Sequence, residues 1–209
     1  ARQAEEEFGI VSKYIMNGIR HLGPESVYNT AKEVVENPHN MLVGFGLAGD
    51  ELHFPPELFI KTFDMLKKEN FPITVHAGEW DGPDNIRKAI NLLHPTRIGH
   101  GVRCIEDSNL VDEIRELDIV LETCPTSNIA TKIYSNYNEH PVKELFDRGI
   151  KITVNSDDPP FFNASIAGEY KVMSNLGLSN DQLTSLTRNA INSSFCDNNT
   201  KKILLKKLI

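Results

Sequence analysis

Cysteine is scarce in this sequence, with three in 209 residues. Cys104, Cys124 and Cys196 are odd in number, widely spaced and free of any CxxC pair. That excludes a disulfide framework and argues against a thiolate zinc site, so we expect a reducing, cytoplasmic compartment. Long apolar runs are also missing, and nothing approaches the roughly 18 residues of a membrane span. The opening Ala1-Arg2-Gln3-Ala4-Glu5-Glu6-Glu7 reads as a charged helix and not as a secretory signal. Positive charge is in deficit: 22 Lys and Arg face 29 Asp and Glu, for a net charge of -7. A phosphate backbone needs a basic face, so no nucleic-acid partner is expected. Neither GxGxxG nor GxxxxGK[ST] occurs, which removes the common phosphate-binding loops.

What is present is a rhythm. Short β-branched runs recur at Ile10–Ile19, Met41–Leu47, Pro72–Val75, Thr96–Ile98, Asp118–Leu121 and Ile150–Val154. Between them, apolar residues repeat at helical spacing: Phe59, Phe63 and Leu66; Ile86, Ile90 and Leu93; Leu110, Ile114 and Leu117. Pro24, Pro56, Pro83 and Pro141 stand near the starts of such patterns, where a missing N–H costs little. Ser179 and Gln182 have capping-box spacing ahead of a last amphipathic stretch. Strongly apolar strands alternating with helices imply a parallel sheet covered on its faces. Two architectures fit: an open doubly wound sheet, complete at six strands, or a (β/α)8 barrel with about six of its eight βα units. The rhythm alone slightly favours the open sheet.

Polar groups gather where the apolar runs end. Ile73-Thr74-Val75 leads into His76-Ala77-Gly78-Glu79, and Arg97-Ile98 into Gly99-His100-Gly101. Ile119-Val120-Leu121 leads into Glu122-Thr123-Cys124-Pro125-Thr126-Ser127-Asn128, and Ile152-Thr153-Val154-Asn155 into Ser156-Asp157-Asp158-Pro159. In parallel α/β folds the catalytic groups sit at the carboxyl ends of strands. Singly, each piece has a plain explanation: a capping histidine, an Asp-Asp-Pro turn, or a Glu122 that pairs with a nearby Arg. Trp80 and Phe161-Phe162 are expected to pack, and His21, His39, His53, His94 and His140 to be surface or structural.

Together the motifs are more specific. His76-Ala77-Gly78-Glu79, Arg97-Ile98-Gly99-His100-Gly101 and Ser156-Asp157-Asp158-Pro159 occur in this order, with Leu47-Ala48-Gly49-Asp50-Glu51 and Cys124-Pro125-Thr126-Ser127. Along nearly its whole length the chain resembles the adenosine deaminases, a family of metal-dependent amidohydrolase barrels. The resemblance implies a single catalytic (β/α)8 barrel domain over 1–209. It implies His76 and Asp157 as zinc ligands, Glu79 as the acid that protonates the purine ring at N1, and His100 as the group that assists deprotonation of the attacking water. It further implies that Asp158 and the Gly49 backbone contact the purine. Zinc would lower the pKa of a bound water from 15.7 to about 7. Glu79 would have to be protonated beside its substrate, which requires a raised pKa.

The sequence departs from the family pattern in informative places. The family's two first-strand ligands form an HxH motif, and no two histidines here are separated by one residue. The domain is therefore expected to be N-terminally incomplete. Gly46 stands where many relatives carry Asp, and Ser156 and Pro160 vary positions near the Asp pair. Gly99 fills a slot that adenine-specific relatives usually give to Asp. The HxE…PCxxC signature of the other zinc deaminase class is absent. The expected reaction is hydrolysis of adenosine, and 2′-deoxyadenosine, to inosine and ammonia, with a small purine nucleoside as the partner molecule. Deamination of adenine or another modified purine, or a silent fragment, stands as the alternative.

Overall fold

A computed structural model describes residues 2–208. Its centre is a six-stranded sheet of β1 (Tyr14–Ile19), β2 (Leu42–Ala48), β3 (Ile73–Ala77), β4 (Arg97–His100), β5 (Val120–Thr123) and β6 (Ile152–Val154). Every pairing is parallel, and the strands lie in the order β1-β2-β3-β4-β5-β6. A doubly wound sheet reverses direction at a switch point and puts its first strand in the interior. Strictly sequential order is the course of a barrel wall, so the slight preference of the rhythm for an open doubly wound sheet is corrected here.

The six apolar runs all become strands, although the first begins later than its sequence suggests. Ile10 and Val11 are exposed, and the ladder starts at Tyr14 opposite Leu42. Helices Pro24–Glu36, Ile60–Lys68, Pro83–Leu93, Ser108–Glu116 and Val142–Asp147 follow the successive strands. Proline takes the first position of the Pro24–Glu36 and Pro83–Leu93 helices, as the spacing implies. Leu110 and Ile114 are buried, but Leu117 is 54% exposed because it caps its helix instead of continuing the stripe. After β6 come helices Ile166–Asn175, Asn180–Ser193 and Asn198–Lys207. The Ser179–Gln182 capping box is formed in both directions.

One apolar cluster joins the outward residues of the strands, among them Phe45, Leu47, Val75, Ala77, Ile98 and Leu121, to Phe63, Ile86, Leu110 and Leu145 of the helices. Burying such side chains is worth roughly 1.5–3 kcal/mol each. This layer fixes which face of each strand is left for polar groups. Among the described residues, no helix is long and apolar enough to cross a membrane. Cys104, Cys124 and Cys196 are free.

Candidate active site at the carboxyl ends of the strands

Because side chains alternate along a strand, packing Val75, Ile98 and Leu121 outward leaves Thr74, His76, Arg97, Gly99 and Glu122 on the inner face. Parallel register lines these up in rows. Gly46 sits beside Asn17 and Thr74, and Thr74 beside Arg97. One layer nearer the carboxyl ends, Gly99 sits beside His76 and Glu122, and Glu122 beside Thr153. In both rows a large residue is accommodated by a glycine. A Cβ on Gly99 would lie 2.3 Å from Cδ2 of His76, and a Cβ on Gly46 would lie 1.9 Å from Oδ1 of Asn17. The place of the carboxylate that many relatives carry at 46 is thus filled by the Asn17 amide. Glu122 pairs with an Arg as its sequence setting allows: Nε of Arg97 lies 2.9 Å from Oε1, and the Thr74 hydroxyl donates to Oε2.

At the mouth the backbone turns sharply. His100 has φ of 59° and Asp157 has φ of 52°. Non-glycine residues in this left-handed region cost about 1–3 kcal/mol each and concentrate at functional sites. Here the turns bring together side chains that strand alternation alone would separate. Nε2 of His100 lies 3.4 Å from Oε2 of Glu79 and 3.8 Å from Oδ2 of Asp157. The rings of His76 and His100 meet edge to face with centroids 5.0 Å apart.

The environment sets the protonation of these groups. Burial, then the neighbouring Asp157 and Glu51 carboxylates, push the Glu79 carboxyl up to about 7, against a hydrogen bond from Asn128 that pulls it down. Burial pushes both His76 and His100 down, which keeps their imidazoles neutral. The Cys124 thiol is pushed well up by burial, and further by the Asp157, Glu122 and Glu169 carboxylates, so it remains protonated.

Four residues not assigned to the site from sequence hold this arrangement. Buried Glu51 accepts from the backbone N–H groups of Gly78, Glu79 and Asp81 at 2.8, 2.8 and 3.0 Å, and from that of Trp80. Fully buried Arg20 donates to the carbonyl of His76 at 2.7 Å and to that of Phe54 at 2.6 Å. The loop carrying His76 and Glu79 is thereby clamped from both sides. Asn128, fully buried, donates to Oε1 of Glu79 and meets Nδ1 of His100, each at 3.3 Å. His140, expected to be surface or structural, takes the structural place: it is buried and reaches the Asn128 amide at 3.0 Å. The Glu in Leu47-Ala48-Gly49-Asp50-Glu51 and the place of Asn128 in the polar run after β5 were visible signals; Arg20 and His140 had none, because their partners are distant in sequence.

Of the sequence-predicted residues, His76, Glu79, His100 and Asp157 converge. Asp158 does not join them by contact: it is exposed, and its side chain makes no hydrogen bond among the described residues. Gly49 stands exposed at the end of β2 with φ of 98°, where a Cβ would lie 2.9 Å from Nδ1 of His21. Trp80 and Phe161 are 47% and 83% exposed, so the expectation that they pack is corrected for these two; Trp80 lies on the bend after β3 and Phe161 in the short helix Pro159–Phe162 after β6. A cavity of about 760 Å³ opens at the opposite, amino end, between Phe71, Arg97, Leu117 and Phe195. The site is marked by its convergent chemistry and not by that hollow.

The donors present suit a divalent cation in part. His76 and Asp157 have free ligand atoms: no hydrogen bond to the His76 ring exists among the described residues, and the Asp157 carboxylate meets only His100. Glu122 and Glu51 add negative charge around them. His100, Cys124 and Asp157 bring ligand atoms within 4.8 Å of one another. That trio is a poorer set, since Nδ1 of His100 is engaged by Asn128 and the thiol is protonated. Two free protein ligands fall short of the three that a catalytic zinc site usually takes.

Comparison with known proteins agrees with this geometry. An adenine deaminase of Sinorhizobium medicae is 41% identical over 206 residues, 98% of this chain and 64% of its own. One from Rhizobium rhizogenes is 40% identical over 208 residues, 99% of this chain and 65% of its own. The chain thus spans about 64% of the length of such curated relatives. The crystal structure of an adenine deaminase from Arthrobacter aurescens superposes with a TM-score of 0.93 at 28% identity, over 99% of this chain and 63% of that one. A zinc-bound amidohydrolase from Burkholderia ambifaria gives 0.91 at 25% identity, over 99% and 58%. The N6-methyl-AMP deaminase of Arabidopsis thaliana gives 0.85 at 28% identity, over 94% and 58%. The six strands are accordingly part of a TIM-type amidohydrolase barrel. The sequence profile described as "Adenosine deaminase" matches residues 1–209, and the chain belongs to that family, in the amidohydrolase superfamily.

Proposed function

We propose that this chain forms the larger part of a metal-dependent purine deaminase, one that replaces the exocyclic amine of adenine or of a related 6-aminopurine with oxygen. The observation that carries the reading is Glu79: a carboxyl pushed up to about 7, held 3.4 Å from His100, beside the free donors of His76 and Asp157. A general acid works best with a pKa near the working pH. Attack at C6 of an aminopurine requires a ring nitrogen to accept the displaced electron pair. Glu79 would supply the proton there, at N1; of the two protons of the attacking water, one would leave on the amine as ammonia and the other would return to Glu79. A divalent metal, zinc by the donor chemistry, would be held by His76 and Asp157 and would supply an activated water. His100 would orient that water, and the Gly49 backbone and Asp158 would face the purine at the mouth. The remaining ligands, together with two further strands closing the barrel, would come from outside these 209 residues, in one catalytic domain.

Adenine is preferred over adenosine in this reading because relatives of about 40% identity are named adenine deaminases. Adenosine remains a second reading on one specific observation. Adenine-specific relatives usually carry Asp in the slot of Gly99, and here His76 occupies the space that such a side chain would need. The deciding experiment compares kcat/KM of the full-length, zinc-loaded protein for adenine, adenosine and N6-methyl-AMP. Adenine is expected to be turned over best. A dominant adenosine activity would transfer the assignment to the second reading, and failure on all three would end it.

A further inference from the structure

We propose that His140 and Asn128 form a one-directional hydrogen-bond relay that places the proton of His100 on Nε2 and pins one oxygen of Glu79. Every direction in it follows from one backbone amide. The N–H of Val142 lies 3.1 Å from Nδ1 of His140 and can only donate. Nδ1 is therefore bare, and the proton of this histidine sits on Nε2. Nε2 lies 3.0 Å from Oδ1 of Asn128 and donates to it. The amide is then fixed with its NH2 facing the site. Its two protons serve Nδ1 of His100 and Oε1 of Glu79, both at 3.3 Å. Having accepted at Nδ1, neutral His100 carries its own proton on Nε2, aimed at Oε2 of Glu79 and Oδ2 of Asp157.

Burial gives the relay its stiffness. His100, Asn128 and His140 are 2%, 0% and 4% exposed, so water does not compete for their bonds. A reversed amide would leave two donors facing each other at His140 and would abandon the carboxylate of Glu79. Each of the three groups uses the capacity it has in this direction and no other. The consequence for reactivity is that resting His100 presents a proton to the site. It acts there as a hydrogen-bond donor that orients an oxygen, and it becomes an acceptor only if Asn128 turns away. Asn128 and His140 are positioning residues in this scheme.

The proton placement stands on geometry alone, whereas its kinetic consequence rests on the purine deaminase reading, so the test reads them separately. Nitrogen-15 NMR of the full-length protein with labelled histidine, with the His100 signals assigned by their loss in His100→Gln, reports which ring nitrogen is protonated. At neutral pH we expect Nδ1 bare and Nε2 protonated. Asn128→Asp, which substitutes an acceptor for the NH2, should move the His100 proton to Nδ1 and lower kcat about 10–100-fold with little change in KM. His140→Gln keeps a donor towards Oδ1 and should retain more activity than His140→Leu. A proton on Nδ1 of His100 in the unaltered protein overturns the relay, whatever its activity, and needs no variant to fold. The relay would stand without its catalytic role if Asn128→Asp moved the proton and left kcat unchanged. A protein inactive on every purine but with Nε2 protonated would sink the function and spare the relay.

Discussion

Glu79 shows how a residue three positions from the proposed ligand His76 acquires its own chemistry. Its carboxyl is pushed up to about 7, chiefly by burial. The sign for stability follows: folding favours the protonated form, so this contribution is full below about 4.5 and is lost as pH rises through about 7. A shift of that size corresponds to about 3 kcal/mol. In the metal-free chain, Glu79→Gln should therefore raise stability in urea melts more at pH 8 than at pH 5, and an equal effect at both would contradict the buried-acid picture. In the zinc-loaded, full-length protein the same variant should lower kcat roughly 10²–10⁴-fold, since an amide can hydrogen-bond a ring nitrogen but cannot protonate it. Near-normal turnover would remove Glu79 from the acid role. His140 has the opposite linkage. Burial pushes it down to about 4, so its contribution is present above about 6.5 and is lost as pH falls through 4. Gly99 belongs to the same scale: because a Cβ there would lie 2.3 Å from the His76 ring, Gly99→Ala should displace that ring and weaken zinc binding by the full-length protein, measured by competition with a chelator. Unchanged affinity would show that the ring has room to spare.

At the scale of elements, the strands were legible in the sequence and the clamps between them were not. Apolar runs such as Ile73–Val75 and Ile119–Leu121 announce buried parallel strands because both faces of each must leave water. Their first polar residues announce the mouth for the same reason. Periodicity cannot say that Glu51, after β2, will hold the loop after β3, or that the helix Pro125–Ala130 will turn Asn128 towards His100, since such contacts join residues 28 to 49 positions apart. The sequence left His140 open between surface and structure for the same reason: a lone histidine ahead of a proline shows no partner until the fold closes over it. Glu51 has a testable weight. It accepts four backbone N–H groups, and Glu51→Gln would turn an NH2 towards donors. Leaving buried donors unsatisfied costs about 1–3 kcal/mol. We expect that loss in urea melts, together with raised amide exchange at residues 78–81. Full stability would mean that the loop holds itself.

At the scale of the whole molecule, the sheet has two ends that do not meet in a ladder: among the described residues, β1 pairs only with β2, and β6 only with β5. β6 is packed against the helix Asn180–Ser193, whereas β1 leaves Tyr14 and Met16 54% and 42% exposed. An uncovered apolar edge is a template for pairing with another strand. The site is open on the same side of the argument, with two free ligands where zinc asks for three or more. Both deficits have one remedy if further strands carrying ligands close the wall between β6 and β1. The 209-residue chain should therefore bind zinc more weakly than the full-length protein, by more than the 10–100-fold that loss of a ligand's supporting partner costs. It should also show a mass above that of a monomer in light scattering, with Tyr14→Lys or Met16→Lys reducing the association by placing charge on the edge. Chelator competition and light scattering on the two forms side by side check both. A monomeric 209-residue chain that holds zinc as tightly as the full-length protein would mean that the site draws its ligands from these residues after all, and that β1 is a finished edge.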